Sequence, residues 1–200
     1  MINPTSRWTA VVCLAIATPL ALISAQAPSG AGIDCAKATS TVERLICKDK
    51  ELGSLDSKLA DVYAQAMKNW KGDADQLAAQ WKWIASRDVC LKAKEPRVCL
   101  QSSYQRRIVE LQIQSGLLKA QKAVGYICGG LDPNVPFTAS FYNETDPPSA
   151  VITYGTEQVI AILEAAASGT KYAATDFEFW AHQSDALLTR SGKQHICKGR

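Results

Sequence analysis

Tyr126-Ile127-Cys128, Ala167-Ser168-Gly169-Thr170-Lys171-Tyr172, Phe179-Trp180 and His195-Ile196-Cys197 punctuate the stretch that decides the fold. Between its two cysteines, short apolar runs alternate with turn residues. Val135, Phe137, Ala139 and Phe141 recur at every second position, the period of a half-buried strand. Ala150 to Tyr154, then Val159, Ala161 and Leu163, then Phe177 and Phe179, then Ala186 to Thr189 continue the pattern. Asp132-Pro133-Asn134, Asp146-Pro147-Pro148, Gly155, Ser168-Gly169 and Ser191-Gly192 read as the turns between them. Taken alone, Glu157 to Ala167 also fits a helix. Seven or eight short strands in about eighty residues predict a small antiparallel barrel. A Cys128–Cys197 bridge would tie the first strand to the last. It would close a loop of about seventy residues, worth roughly 4 kcal/mol in the chain-entropy account. A core this small needs such a staple.

Upstream the periodicity changes, and Asp34 to Gly116 reads as helices. Thr39-Ser40-Thr41 followed by Glu43 supplies an N-cap for a short helix ending near Lys48. Leu52, Leu55, Leu59, Val62, Tyr63 and Ala66 recur at helical spacing. Gly72-Asp73 breaks that helix. Leu77, Trp81, Ile84 and Ala85 mark the next, and Val98, Tyr104, Ile108 and Leu111 the last. Gly116 is placed to stop it. Trp70, Trp81 and Trp83 are read as core residues before groove residues. The fold class is therefore α+β in two domains: a disulfide-stapled helical domain over 34–116, a linker over 117–124, and a β-barrel over 125–198.

The N-terminal 25 residues read as a cleavable signal peptide. Arg7 gives a positive start, and Trp8 to Ile23 is an apolar run too short to span a membrane. Cleavage after Ala25 is favoured over cleavage after Ala27. Val12 before Cys13 and Asp34 before Cys35 deny either cysteine the small-residue context of a lipid attachment site. A periplasmic protein without stable membrane insertion is expected. Charge separates the halves. Residues 26–120 carry 15 basic and 11 acidic side chains, net +4; residues 121–200 carry 6 and 8, net −2. Neither half has the dense basic patch of a nucleic-acid binder.

Six cysteines remain after the leader: Cys35, Cys47, Cys90, Cys99, Cys128 and Cys197. An even number in an exported chain predicts disulfides. With no C-x-x-C pair and only His182 and His195, neither zinc nor any other cofactor is expected. If 39–47 is helical, Cys35 and Cys47 lie about 15 Å apart at the helical rise. A disulfide needs Cα atoms within about 7 Å. This argues against 35–47, and by elimination against 90–99. Two pairings remain, 47–90 with 35–99 and 35–90 with 47–99, the first favoured.

Cys35 and Cys47, Leu52-x-x-Leu55-Asp56, Tyr63, Gln80-x-x-Trp83-x-x-x-Arg87-Asp88-x-Cys90, and Cys99-Leu100-x-x-x-Tyr104-x-x-Arg107-Ile108-x-Glu110-Leu111 form an ordered set. It resembles the N-terminal domain of the LprI family over residues 34–113. The resemblance implies an exported protein and, in one use of the domain, lysozyme inhibition. Arg87 and Asp88 also read simply as an ion pair at a helix end.

Tyr126-x-Cys128, Ala167-Ser168-Gly169-x-Lys171-Tyr172, Phe179-Trp180, Asp185-Ala186-x-Leu188 and Cys197 are similar to the MliC family of c-type lysozyme inhibitors. The resemblance implies an eight-stranded barrel whose Ser168-Gly169 loop enters the lysozyme cleft. It makes Ser168, Gly169, Lys171, Tyr172 and the position of His182 the lysozyme-binding set. That last position usually holds a lysine. A histidine there is mostly neutral at pH 7 and a weaker partner for a carboxylate. Lys171 is the candidate to supply the charge instead. Ser168 can donate to an ionised carboxylate and accept from a protonated one.

Two other classes compete. One is an envelope-associated binding module with a non-lysozyme partner. The other is a carbohydrate hydrolase built on Asp176, Glu178 and Asp185. Glu178 alternates with Phe177 and Phe179, which turns it to solvent without a partner acid, so a non-enzyme is expected.

Overall fold

The computed structural model describes residues 32–200. The leader read over residues 1–25, with Cys13, lies outside the described residues. Four helices come first: α1 (Thr41–Lys48), α2 (Lys50–Asn69), α3 (Ala74–Asp88) and α4 (Pro96–Gln114). The starts of α1, α2 and α3 follow from short polar side chains that satisfy free backbone N–H groups. Ser40 accepts from the Glu43 N–H, and the Glu43 carboxylate accepts from the Ser40 N–H at 2.9 Å, a reciprocal capping box. Asp49 and Asp73 cap α2 and α3. Pro96, which lacks an N–H, stands in the first turn of α4. Lys71 and Gly72, both at positive φ, separate α2 from α3, and Gly116 at φ 70° follows α4.

Leu52, Leu59, Val62 and Ala66 of α2 share a buried core with Leu100, Tyr104, Ile108 and Leu111 of α4. Trp70 and Trp83 pack against it partly buried, whereas Trp81 is exposed. The polar residues of the helical motif turn inward. Arg87 is buried and grips Asp88 through two nitrogens at 2.9 and 2.8 Å. It also donates to the Tyr104 hydroxyl, which donates in turn to Asp56 at 2.8 Å. Asp56 accepts the Ile33 N–H at 2.6 Å. The pair read as a helix-end salt bridge is one link of a chain joining three helices. Burial pushes the Tyr104 phenol well up, so it stays a donor.

The disulfides correct the expected pairing. Cys35 bonds Cys47 with Cα atoms 5.7 Å apart, and Cys90 bonds Cys99 at 5.4 Å. Neither 47–90 nor 35–99 forms. The helix starts only at Thr41, and Cys35 opens a separate 3-10 turn, Cys35–Lys37. Ala38 and Ser40 are extended. The three residues of open chain, 38–40, can span roughly 10 Å. The return along α1 to Cys47 needs only about 9 Å of helical rise. The segment therefore doubles back, and the premise that 35 and 47 lie along one axis fails. With it fails the elimination of 90–99. Cys90 lies in the 3-10 turn Val89–Lys92 after α3, and Cys99 in the first turn of α4.

The barrel follows: β1 (Val124–Cys128), β2 (Phe137–Tyr142), β3 (Ser149–Tyr154), β4 (Glu157–Glu164), β5 (Thr170–Ala174), β6 (Phe177–His182), β7 (Asp185–Arg190) and β8 (Lys193–Gly199). Each strand pairs antiparallel with the next, and β8 returns to β1. The segment that also fitted a helix is β4. Alternation puts Tyr126, Phe137, Tyr172 and Phe179 inside with Ala139, Ala150, Ala161 and Ala186. Large rings beside small residues fill a narrow barrel. Cys128 and Cys197 are opposed residues of β1 and β8, and their disulfide closes the barrel as expected.

Up-and-down order fixes which connections share an end. The β2–β3, β4–β5 and β6–β7 connections lie at one end, where the chain also enters β1 and leaves β8. The Gln121 N–H meets the Phe141 carbonyl there at 3.0 Å. Lys58 of α2 reaches Asp146 of the β2–β3 connection at 3.5 Å.

Candidate functional site

The β4–β5 connection is the five-residue loop 165–169, exposed at every position. Its conformation depends on Gly169. That residue has φ +68°, where a side chain is strained. A Cβ there would lie 2.5 Å from the Ala181 carbonyl oxygen and 3.1 Å from Trp180 Nε1. Glycine thus lets the loop lie directly on β6. The Trp180 indole N–H then donates to the Ser168 carbonyl oxygen at 2.7 Å. Phe179, the preceding residue, is fully buried and anchors β6 from inside. Backbone and hydroxyl of Ser168 are thereby separated in function. The carbonyl is bonded, and the hydroxyl of this exposed residue has no hydrogen bond among the described residues.

His182 ends β6 and is exposed, opposite Asp185. Its Cδ2 lies 3.3 Å from where a Gly169 Cβ would be. So the position that the resemblance assigns to a lysine does adjoin the loop. Lys171 is placed differently from what a free cation requires. Its Nζ lies 2.8 Å from Glu178 and 3.5 Å from Glu164. The hydrogen bond to Glu178 holds its pKa above the usual lysine value. Its charge is already countered by two carboxylates, one from each neighbouring strand. Tyr172 is also placed differently from a contact residue. Its ring is buried in the barrel and packs on Phe141 at 5.5 Å. It supports the base of the loop from within.

Sequence reading passed over Lys198. Strand pairing sets it opposite Asp185, with which it forms an exposed ion pair at the same barrel end. The two residues are thirteen apart in the chain, and only the β7–β8 register brings them together. The three carboxylates considered for hydrolysis do not converge. Asp176 sits in the β5–β6 turn at the opposite end, Glu178 binds Lys171, and Asp185 binds Lys198. All six cysteines of the described residues are in disulfides, so none is free to ligate a metal.

Two family models match the chain. The model described as membrane-bound lysozyme-inhibitor of c-type lysozyme, MliC, matches residues 126–196. The model described as lysozyme inhibitor LprI matches residues 34–113. Lipoprotein LprI of Mycobacterium bovis and of Mycobacterium tuberculosis are each 34% identical over 199 residues. Those alignments cover 96% of this chain and 98% of the relative. A solved structure of Pseudomonas aeruginosa MliC in complex with hen egg white lysozyme is 28% identical, with a TM-score of 0.35. It covers 41% of this chain and 85% of that one. No helix among the described residues is long and apolar enough to cross a membrane. Helical motif, barrel and full-length relatives agree, and the chain belongs to the LprI family of lysozyme-inhibitor proteins, with an LprI domain followed by an MliC domain.

Proposed function

We propose that this protein inhibits a c-type lysozyme by seating the 165–169 loop in the enzyme's cleft, with the Ser168 hydroxyl foremost. The observation that carries the reading is the division within Ser168, a fixed backbone bearing a free hydroxyl. A loop restrained at Ser168 before binding has less entropy to lose on binding. A retaining glycosidase cleft presents two carboxyl groups about 5–5.5 Å apart, one the acid and one ionised. A hydroxyl between them can donate to one and accept from the other. His182 flanks this contact. Lys171 and Tyr172 hold the loop's base, Lys171 through its two glutamates and Tyr172 through the barrel core.

The net −2 of residues 121–200 favours approach to a basic enzyme, chiefly through the association rate. Three disulfides and the leader-like start support action in the periplasm. The helical and barrel regions are proposed to act as separate domains, each around its own core.

A turbidity assay with purified mature protein and a panel of c-type lysozymes tests the proposal. Ser168→Ala is expected to cost about 1.5–3 kcal/mol, the range for a hydrogen bond to a charged group. No inhibition of any c-type lysozyme by the intact protein would leave the envelope binding module as the surviving reading. Inhibition unchanged by Ser168→Ala would remove the loop mechanism alone.

A further inference from the structure

We propose that the helical domain makes a second contact with the same lysozyme, through the N-terminal part of α2; this rests on the loop mechanism proposed for Ser168. The position of the helices on the barrel comes first. Val151 faces outward between the core residues Ala150 and Ile152, yet it is only 8% exposed. It forms one row with Ser140 and Ile160 across β2, β3 and β4. Ile113 and Gln114, at the end of α4, line a groove against that row. The row lies two residues, about 7 Å, below the barrel end where β2 passes into β3. Asn69, the last residue of α2, donates to the Ser115 carbonyl beside this groove at 3.0 Å. The C-terminal end of α2 therefore lies beside the barrel wall.

Eleven residues earlier on the same helix, Lys58 reaches Asp146 at the rim. The helix thus climbs from wall to rim. Its first two turns, residues 50–57, continue past the rim for about 12 Å at the helical rise. They do so at the barrel end that carries the 165–169 loop. The structure between is firm. The Thr145 hydroxyl donates to the Tyr142 carbonyl at 2.8 Å and shares a hydrogen bond with the Ser149 hydroxyl at 2.8 Å. The Leu163 N–H donates to the Pro148 carbonyl at 2.8 Å, and Leu163 stands two residues before the loop. One hydrogen bond and two short pieces of chain join Asp146 to the loop, so α2 and the loop form two sides of one notch.

The occupant follows from continuity with the loop. A stable protein contact buries about 800 Å² on each partner, a patch roughly 30 Å across. Five loop residues supply only part of that. An enzyme seated on the loop extends beyond it, and on this side the next surface is α2. Ser54 lies four residues before Lys58, on the same face of the helix. Ser54 and Ser57 are exposed, and the Ser57 hydroxyl turns back to the Gly53 carbonyl at 3.1 Å. These small, uncharged residues let a partner approach the helix closely, so the contact depends on fit.

The test is the inhibition constant of the full mature protein against a c-type lysozyme, for the parent, Ser54→Arg and Ser54→Glu. Both variants place a long side chain on the proposed contact, and both should weaken inhibition roughly tenfold, the effect of overfilling a packed surface. Their opposite charges separate fit from electrostatics. Gln65→Arg, exposed on the same helix but three turns nearer the wall, should leave the constant unchanged. A thermal melt confirms that each variant is folded. Constants equal to the parent's in both Ser54 variants, with Ser168→Ala still weakening inhibition, overturn the α2 contact and leave the loop mechanism standing. Weakening by one Ser54 variant and strengthening by the other shows charge acting at a distance, and also overturns the contact. A parent that inhibits no c-type lysozyme overturns both.

Discussion

The Trp180 indole nitrogen lies 2.7 Å from the Ser168 carbonyl oxygen, so a strand side chain restrains the loop entering the strand beside it. Trp180 stands directly opposite Lys171 across the β5–β6 pair. Trp180→Phe keeps an aromatic ring on the strand and removes the donor. The loop should lose its restraint while the barrel core, built on Phe179, persists. Inhibition of a c-type lysozyme is expected to weaken roughly five- to tenfold, in line with one net hydrogen bond of about 1 kcal/mol. Steady-state inhibition constants, with a melt as folding control, check this. A constant equal to the parent's would show that the indole bond does not matter.

His182→Lys should strengthen inhibition. The side chain starts from the strand position that touches Gly169 and points into solvent. A permanent cation there would face a cleft carboxylate. The gain should shrink as salt rises, since exposed charges are screened beyond about 10 Å at 0.1 M. Inhibition constants at low and high salt give the answer. An identical constant at both salts for variant and parent would mean the position lies outside the contact.

Cys128→Ser with Cys197→Ser should destabilise the barrel by about 4 kcal/mol, because the bridge closes a long loop in the unfolded chain. Urea unfolding of a 121–200 fragment, with and without the bridge, measures it. The oxidised fragment should unfold in one cooperative step. A fragment unfolded with its disulfide intact would refute the independence of the two domains.

The capping box gives a pH dependence. Hydrogen bonds from the Ser40 and Thr39 N–H groups hold the Glu43 carboxyl below its usual pKa. A depressed folded-state pKa contributes stability above the unfolded value of about 4.3. That contribution is lost as pH falls through the lower folded value. Helical-domain stability should therefore decline from about pH 4.5 downward. In Glu43→Gln the decline should be smaller. Denaturant midpoints across that range check it, and parallel curves for the two proteins would discount the cap.

Much of this was legible because local rules and global fold agree. Ser40 and Glu43 announce a capping box by spacing alone. The barrel shows in the two-residue period of Phe137, Ala139 and Phe141, with Asp, Pro and Gly at the turns. What escaped was set by distance in the chain. Treating residue 39 onward as helix separates Cys35 from Cys47, and the extended residues Ala38 and Ser40 undo that. In the sequence Lys171 is a candidate to supply charge to the loop, because Glu164 and Glu178 become its neighbours only through strand register. Trp81 and Trp83 could not be told apart by type. Two positions along a helix, they diverge, one half-buried on the core and the other toward solvent.

The alternating order of the barrel has a practical reach. Gly155, Asp176 and the Ser191-Gly192 pair turn the chain at the end opposite Ser168, all at positive φ. A fluorophore or surface tether attached at exposed Asp176 would leave the loop facing the bulk solution. The same turns are sites where a short peptide tag could be inserted without approaching the loop. The barrel could thus serve as an oriented capture reagent, held by one rim and presenting the other.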